Sequence, residues 1–299
     1  MSNPSADPIA VRELPIMTPD GYRLAGRLFE GASPRMAVMV SSGTAYPQGF
    51  YDRLARYMAA QGATVLTFDY RGIAASSSGN LKGSPIEYTD WAKDQAAALD
   101  ALKAEAPGLP VFHVGHSVGG SFIGFMPNHA DITRHAFVSV GSGYWPHHLR
   151  HYNPMELFFW FGFGPAHILR HGYIKQGKLW TGTDLPPRVF ATWRRWCMKP
   201  NYYLGELHSG KLGPHQFDQV TAPIHSWLFS DDPIATAKSA PVLMSVYTKA
   251  PQTSTTRTPA DYGRKSIGHD GAFRKGMEPL WAEILTWFEQ ALPAKASAS

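Results

Sequence analysis

Apolar, often β-branched runs of strand length alternate with helix-length segments along most of the chain. Such alternation predicts β-α units and a mostly parallel sheet. The predicted strands are Tyr22–Phe29, Met36–Ser41, Thr64–Tyr70, Val111–Gly115, His135–Val140, Ile224–Ser230 and, more weakly, Thr255–Thr258. The predicted helices are Gly49–Ala60, Thr89–Glu105, Gly119–Pro127, Thr236–Lys249 and Glu278–Leu292. We therefore expect an α/β fold, with a mostly parallel central sheet flanked by helices.

The alternation stops between about residues 144 and 220, where Trp, Tyr, Phe, Pro and Gly are frequent. Long segments that interrupt a regular fold are often lids or binding elements. We therefore predict that residues 144–220 form an aromatic-rich cap, or lid, inserted into the fold. Residues 1–143 and 221–299 are then predicted to form the core.

Composition narrows the class of protein further. The single cysteine, Cys197, excludes an internal disulfide and a cysteine-based zinc site. Residues 1–14 lack the profile of a signal peptide, and the longest apolar stretch, Leu157–Leu169, is shorter than the ~18 residues that span a bilayer. We expect a cytoplasmic protein without a membrane span, ending in a frayed tail, "PAKASAS". The formal net charge is +5, but Lys and Arg are scattered, which argues against nucleic acid as a partner.

The stretch "PVFHVGHSVGGSF", residues 110–122, carries the clearest chemistry. Ser117 lies in a Gly-x-Ser-x-Gly sequence between a predicted strand and a predicted helix. In this context glycines permit a tight, strained turn that presents a nucleophilic serine above the sheet. We therefore predict that Ser117 is a nucleophile.

The partners of such a serine follow it in the order acid, then histidine. His269 is the one histidine beyond the last predicted strands, and it lies in the Gly-bounded loop "KSIGHDGAF". The sequence "HSWLFSDDPIA" ends a strand with two aspartates, of which Asp232 is favoured as the acid and Asp231 remains an alternative. The acid would fix the tautomer of His269 and stabilise its imidazolium.

Two backbone N–H groups are predicted to bind the developing oxyanion. That of Val118 follows the nucleophile at the start of a helix, and that of Thr44 follows the strand ending at Ser42-Gly43. In "FDYRG", an ion pair involving Asp69 and Arg71 is expected to be structural, because the acid position is already filled by a later aspartate.

The chain resembles the α/β-hydrolase superfamily, and within it the predicted hydrolases of the serine-aminopeptidase-like (S33) branch. The resemblance rests on the core motifs "FDYRGIAAS", "GHSVGG", "SDDPIA" and "IGHDGAFR". Within the predicted cap, "GSGYW", "DLPPRV" and "WRRWCMKPNYY" are similar to a bacterial subgroup of such predicted hydrolases. One departure is Ser42-Gly43, where many relatives carry His-Gly. The resemblance implies a serine hydrolase without a metal or an organic cofactor.

These observations predict a serine hydrolase that cleaves small-molecule carboxylic esters through an acyl-enzyme. The aromatic cap favours a hydrophobic or aromatic substrate. Residues predicted to line the substrate pocket are Tyr46, His116, Trp145, Phe159 and Trp193. An acyltransferase, an amidase or aminopeptidase using the same triad, and a non-catalytic binding protein on the same scaffold remain alternatives.

Overall fold

The computed structural model describes residues 9–292. The N-terminal segment assessed for a signal peptide therefore lies largely outside the described residues, and the tail "PAKASAS" lies wholly outside them. No helix in the described part of the chain is long and apolar enough to cross a bilayer.

A central sheet of eight strands organises the molecule, with the order β1-β2-β4-β3-β5-β6-β7-β8. Strand β2 pairs antiparallel with β1 and β4, and all other neighbours are parallel. The strands are β1 (Ala10–Met17), β2 (Arg23–Glu30), β3 (Met36–Ser41), β4 (Ala63–Phe68), β5 (Val111–His116), β6 (Ile132–Val138), β7 (Ile224–Phe229) and β8 (Gln252–Arg257). The predicted mostly parallel α/β fold is confirmed.

The α-helices of the described chain are α1 (Asp52–Ala60), α2 (Asp90–Glu105), α3 (Val118–Ser121), α4 (Asn153–Phe158), α5 (Gly164–His171), α6 (Pro187–Cys197), α7 (Leu204–His208), α8 (Ser239–Met244) and α9 (Glu278–Glu289). Helices α1 and α9 contribute to the apolar core on one face of the sheet, and α2 contributes to the core on the other face. Strands β3, β4 and β5 are buried along their whole length, because helices cover both faces.

Three elements differ most between the prediction and the structure. The helix predicted over Thr236–Lys249 is α-helical only over α8, Ser239–Met244. The helix predicted over Gly119–Pro127 is only the single turn α3, followed by a 3-10 turn over Ile123–Phe125. Glycine is a weak helix former, and a side chain at Gly124 would collide with Phe217. The edge strand β1 was not predicted. Its residues are mostly exposed and it contains Pro15, so its alternation is weak.

All residues between β6 and β7 are described, and none of them joins the sheet. They form α4 to α7, with one turn of π-helix, Phe159–Phe163, joining α4 to α5. The segment lies against the carboxyl edge of the sheet through backbone contacts. The N–H of Thr183 donates to the carbonyl of Ala45 at 2.9 Å, and that of Leu149 donates to the carbonyl of Pro233 at 2.9 Å.

Candidate active site

Ser117 lies on a sharp turn between β5 and α3. Its backbone has φ 51° and ψ −118°, in the left-handed half of the φ range that few non-glycine residues occupy. The turn is tight: a Cβ at Gly119 would lie 2.2 Å from the carbonyl oxygen of Ser41, and one at Gly115 would lie 2.6 Å from the nitrogen of Gly120. Both positions therefore require glycine. The strained backbone is of the kind found at functional sites.

Three side chains from distant parts of the sequence meet above the sheet. His269 Nε2 lies 3.1 Å from Ser117 Oγ, and His269 Nδ1 lies 3.0 Å from Asp232 Oδ1. The loop after β7 supplies Asp232, which also accepts the N–H groups of Ile234 and Ala235. Because Nδ1 faces a carboxylate, Nδ1 carries the hydrogen and Nε2 faces the serine as an acceptor.

The interaction between Asp232 and His269 shifts the pKa of both groups. Burial of His269 disfavours its protonation, but the Asp232 charge and hydrogen bond outweigh burial and raise the pKa of the imidazole above its ordinary value. Burial of Asp232 likewise opposes ionisation, but His269 and the backbone donors hold its pKa below the usual range. At neutral pH Asp232 is therefore ionised, ready to stabilise an imidazolium.

Asp231, the alternative acid, faces a different group. Its Oδ2 atom accepts hydrogen bonds from the hydroxyl of Ser266 at 2.8 Å and from the N–H groups of Ile267 at 2.8 Å and Gly268 at 3.1 Å. These three residues directly precede His269. Asp231 therefore fixes the loop that carries the histidine and does not contact the imidazole.

The two N–H groups predicted to bind an oxyanion are both available. The N–H of Val118 begins α3, where the first N–H groups have no intrahelical acceptor. Neither this group nor the N–H of Thr44 donates to any backbone or side-chain acceptor within residues 9–292. The Thr44 hydroxyl forms a hydrogen bond with that of Tyr88 at 2.5 Å, which restrains its loop.

A buried hydrogen-bond chain connects this loop to the histidine loop. The N–H of Gly43 donates to the Tyr51 hydroxyl at 2.8 Å, and that hydroxyl lies 2.7 Å from His116 Nδ1. His116 Nε2 lies 3.0 Å from the carbonyl oxygen of His269. Since a carbonyl can only accept, Nε2 carries the hydrogen and Nδ1 accepts from Tyr51. Burial, aided by the nearby His269, lowers the pKa of His116 to about 3, so this imidazole is neutral.

A cavity of about 570 Å³ opens onto Ser117 and His269. Aromatic side chains dominate its wall: Tyr46, Phe50, Tyr88, Tyr152, Phe158, Phe159, Trp160, Phe163, Trp180, Trp193 and Tyr202. The remaining walls include Thr44, Val118 and the buried carboxylate of Glu156. Glu156 is held by His148 Nδ1 at 2.7 Å and by the Trp160 indole at 3.1 Å.

Three of the five residues predicted for the pocket line this cavity, namely Tyr46, Phe159 and Trp193. The prediction for His116 is wrong, because its ring is fully buried below the nucleophile and is committed to Tyr51 and His269. Trp145 is half-buried on a 3-10 turn and does not line the cavity. Sequence reasoning missed Tyr51, Tyr152 and Glu156, for which no local motif gave a signal.

A second, larger groove of about 1130 Å³ lies elsewhere, along β2 and residues 75–86. Its wall includes Arg71, which pairs with Asp20 and with the buried Asp94. The structural ion pair expected in "FDYRG" therefore involves Arg71 but not Asp69, which instead accepts hydrogen bonds from Gln48 and Ala75. None of Ser117, Asp232 or His269 borders this groove.

Comparison with known proteins identifies relatives of part of the chain. A family model described as serine aminopeptidase, S33, matches residues 32–176. Human monoglyceride lipase is 30% identical over 124 residues, which cover 40% of this chain and 40% of the human protein. A monoglyceride lipase homolog of monkeypox virus is 28% identical over 88 residues, 29% of this chain and 31% of the viral protein. The chain thus matches less than half the length of these curated relatives.

Solved structures match almost the whole chain. A soluble variant of monoglyceride lipase from Saccharomyces cerevisiae superimposes with a TM-score of 0.65 and 17% identity, covering 98% of this chain and 100% of that chain. A carboxyl esterase from Bacillus coagulans superimposes with a TM-score of 0.62 and 15% identity, covering 94% of this chain and 99% of that chain. At this identity the likeness shows the fold. The fold is thus that of the α/β hydrolases, and residues 32–176, just under half of the chain, are similar to the serine aminopeptidase, S33, family.

Proposed function

We propose that the protein hydrolyses small-molecule carboxylic esters through an acyl-enzyme formed on Ser117. The observation that carries this proposal is the continuous contact from Asp232 through His269 to Ser117, at 3.0 Å and 3.1 Å. These separations are within hydrogen-bond reach of a nucleophile and its base, with the base oriented by a third group.

Each residue has a defined part in the proposed reaction. Ser117 Oγ attacks the ester carbonyl carbon while its proton passes to His269 Nε2, and Asp232 stabilises the resulting imidazolium. The carbonyl oxygen gains negative charge and binds the N–H groups of Val118 and Thr44, each worth about 3 kcal/mol of barrier. Collapse of this intermediate expels the alcohol, which takes the proton from Nε2. Water, deprotonated by His269, then attacks the acyl carbon and releases the acid and Ser117.

The cavity wall favours hydrophobic or aromatic substrates. Among its lining residues, aromatic rings outnumber charged groups. Glu156 is already hydrogen-bonded to His148, and Asp270 is paired with Arg274. A charged substrate would lose its hydration without gaining a free partner there. The name of a similar protein, monoglyceride lipase, agrees with a carboxylic ester as the substrate class. The highest rate among short, long and charged esters is expected for an uncharged, hydrophobic one.

Ester cleavage is favoured over aminopeptidase activity by the state of the acidic side chains in the segment 144–216. A free amino terminus needs an unoccupied carboxylate. Glu156 binds His148, Glu206 binds Arg195, and Asp184 accepts the N–H of Gln176. Of these three carboxylates only Glu156 lines the cavity, and it is already hydrogen-bonded to His148.

We also propose that residues 144–220 act as a cap on this site, as expected from the sequence. The cavity wall supports this assignment, because the rings of Phe159, Trp160 and Trp193 come from this segment while Ser117 comes from the core. A cap of this kind excludes water and so strengthens the electrostatic contacts around the reacting carbonyl.

Covalent labelling with a fluorophosphonate tests the proposal. We expect one added phosphonyl group on Ser117 by intact mass and peptide mapping, and none in Ser117→Ala. His269→Ala should react far more slowly, because the base is missing. Product analysis with and without an alcohol acceptor then separates hydrolysis from acyl transfer. A folded protein that takes no label and cleaves no ester would contradict the proposal and favour a binding protein.

A further inference from the structure

Exposed large apolar side chains are concentrated in one short stretch of the chain. Of the six such residues in the described chain, five lie between positions 155 and 179, and each is 56% to 90% exposed. They are Met155, Phe158, Phe161, Leu169 and Leu179. Scattered single residues of this kind need no explanation, but a cluster marks an interaction surface.

The longer segment that contains these residues, 144–220, carries the positive charge of the chain. Residues 144–220 contain nine Lys or Arg and four Asp or Glu, which accounts for the whole formal net charge of +5. The rest of the chain contains 19 basic and 19 acidic residues and is neutral. The scattered appearance of basic residues along the sequence therefore hides a strong asymmetry between this segment and the remainder.

The cations nearest in sequence to the apolar cluster have no carboxylate partner. Arg150, Arg170, Lys175 and Lys178 are all exposed, and none forms an ion pair within residues 9–292. The single acidic residue between positions 150 and 180, Glu156, is buried against His148 and offers no negative charge at the surface. Between positions 150 and 180 the exposed charged side chains are thus all cationic, and the half-buried carboxylate of Asp184, which accepts the N–H of Gln176, is a neighbouring anion.

The apolar cluster borders the cavity above the nucleophile. Met155, Phe158 and Leu179 are largely exposed and also line the cavity that contains Ser117. The exposed surface and the cavity are therefore continuous. A partner bound to this surface would cover the cavity mouth.

We propose that this surface docks the protein on an anionic lipid bilayer. Apolar side chains that enter the headgroup boundary, together with Lys and Arg attracted to anionic headgroups, are the two contributions that bind a protein to such a surface. A second copy of the chain is a poorer occupant, because a two-fold interface would place two cationic faces against each other. The proposal does not depend on the ester chemistry of the site.

Flotation of the full-length protein with phosphatidylcholine vesicles, with and without phosphatidylglycerol, tests the proposal. We expect partitioning onto the vesicles that contain phosphatidylglycerol, declining with salt as charges are screened. Lys175→Gln/Lys178→Gln should weaken it about 25-fold, or about five-fold per cation removed, equivalent to ~1 kcal/mol each. Arg53→Gln/Lys249→Gln is the matched control. Arg53 lies on α1, and Lys249 precedes the edge strand β8. Both are exposed, and both lie outside residues 144–220.

A second pair of variants tests the apolar contribution. Phe161→Ser/Leu169→Ser removes two exposed apolar side chains that do not line the cavity, and it should reduce partitioning at least ten-fold. Met17→Ser, at the one exposed large apolar residue of the described chain outside the cluster, should leave partitioning unchanged. Thermal melting of each variant identifies any that fails to fold.

Three results would overturn the proposal: no partitioning onto either vesicle, equal loss in the matched controls, or equal binding to phosphatidylcholine alone. A dimer in solution that dissociates in Phe161→Ser/Leu169→Ser would assign the surface to self-association instead. Because vesicle binding and hydrolysis of water-soluble esters are measured separately, loss of one leaves the other interpretable.

Discussion

Asp231 and Asp232 are adjacent in the chain, yet they bind different parts of the histidine loop. Asp232 accepts the imidazole Nδ1–H of His269, whereas Asp231 accepts the N–H groups of Ile267 and Gly268. One aspartate orients the ring, and the other holds the backbone that carries it. The two carboxylates are therefore expected to respond differently to substitution.

Asp232→Asn should lower kcat by about 10⁴-fold, the size of the effect when the acid of such a triad becomes an amide. The amide cannot stabilise the imidazolium, and it permits the wrong tautomer of His269. Steady-state hydrolysis of an uncharged ester measures the effect. A loss smaller than ten-fold in a folded variant would argue that Asp232 is not the acid.

Asp231→Ala should lower kcat about ten-fold, because the backbone donors of Ile267 and Gly268 lose their acceptor and the loop loosens. Asp231→Asn keeps one acceptor oxygen and should restore most of the activity. The pH profile separates this positioning role from that of Asp232, since the Asp231 variants should keep the wild-type acid limb. A displaced limb in Asp231→Asn would contradict the assignment.

The pH dependence of kcat/KM should show an acid limb above the ordinary histidine pKa of ~6.5, because the pKa of His269 is raised. Only the neutral imidazole accepts the serine proton, so activity is lost as pH falls through that raised pKa. In Asp232→Asn the charge that raises the pKa is gone, and the limb should move to lower pH. A wild-type rate that is flat between about pH 5 and 8 would exclude His269 as the base.

Tyr51→Phe should reduce kcat about ten-fold with little change in KM. The substitution removes the acceptor of the Gly43 N–H and the donor to His116, so a buried N–H in the loop leading to Thr44 loses its partner. Stopped-flow measurement of acylation should place the loss in the chemical step. Tyr57→Phe is the matched control, because Tyr57 lies on α1, which begins directly after Tyr51, but outside this hydrogen-bond chain. An unchanged rate in Tyr51→Phe would show that this chain does not position the oxyanion loop.

Acid should destabilise the fold through a buried histidine pair on β5 and β6. His113 Nδ1 and His135 Nδ1 lie 3.2 Å apart, and burial lowers the pKa of both, to about 3 for His135. Below ~6.5 the unfolded chain binds protons that the native state does not, so the free energy of unfolding should fall by up to about 1.4 kcal/mol per pH unit for each histidine. Urea titrations between pH 7.5 and 4.5 measure this slope.

His113→Leu/His135→Leu provides the control for that slope. The double variant should reduce it by up to about 2.7 kcal/mol per pH unit, because it lacks the two imidazoles that bind protons in the unfolded state but not in the native state. An unchanged slope would assign the acid sensitivity to other groups.

The alternation of strand-length and helix-length segments made most of the fold predictable. Met36–Ser41 is a strand with the predicted bounds, and α2 begins one residue after its predicted start. The order Ser117, Asp232, His269 was equally readable, because each residue follows a recognisable strand or precedes a recognisable helix. The edge strand β1 escaped prediction since its exposed residues carry little hydrophobic periodicity. The extent of the cap stays a prediction.

Local sequence thus determined most of the elements, their order and the types of side chain in the candidate site, because hydrophobic period and turn chemistry act over a few residues. Tertiary structure alone decided which groups meet. It gave Asp231 and Asp232 different hydrogen-bond partners, and it paired Arg71 with Asp20 and Asp94. It also placed His116, which was predicted to line the pocket, in a buried position between Tyr51 and His269. Such contacts join positions up to 153 residues apart in the chain. They depend on how the strands lie side by side and on which loops converge at one edge of the sheet, and no short-range pattern encodes that arrangement.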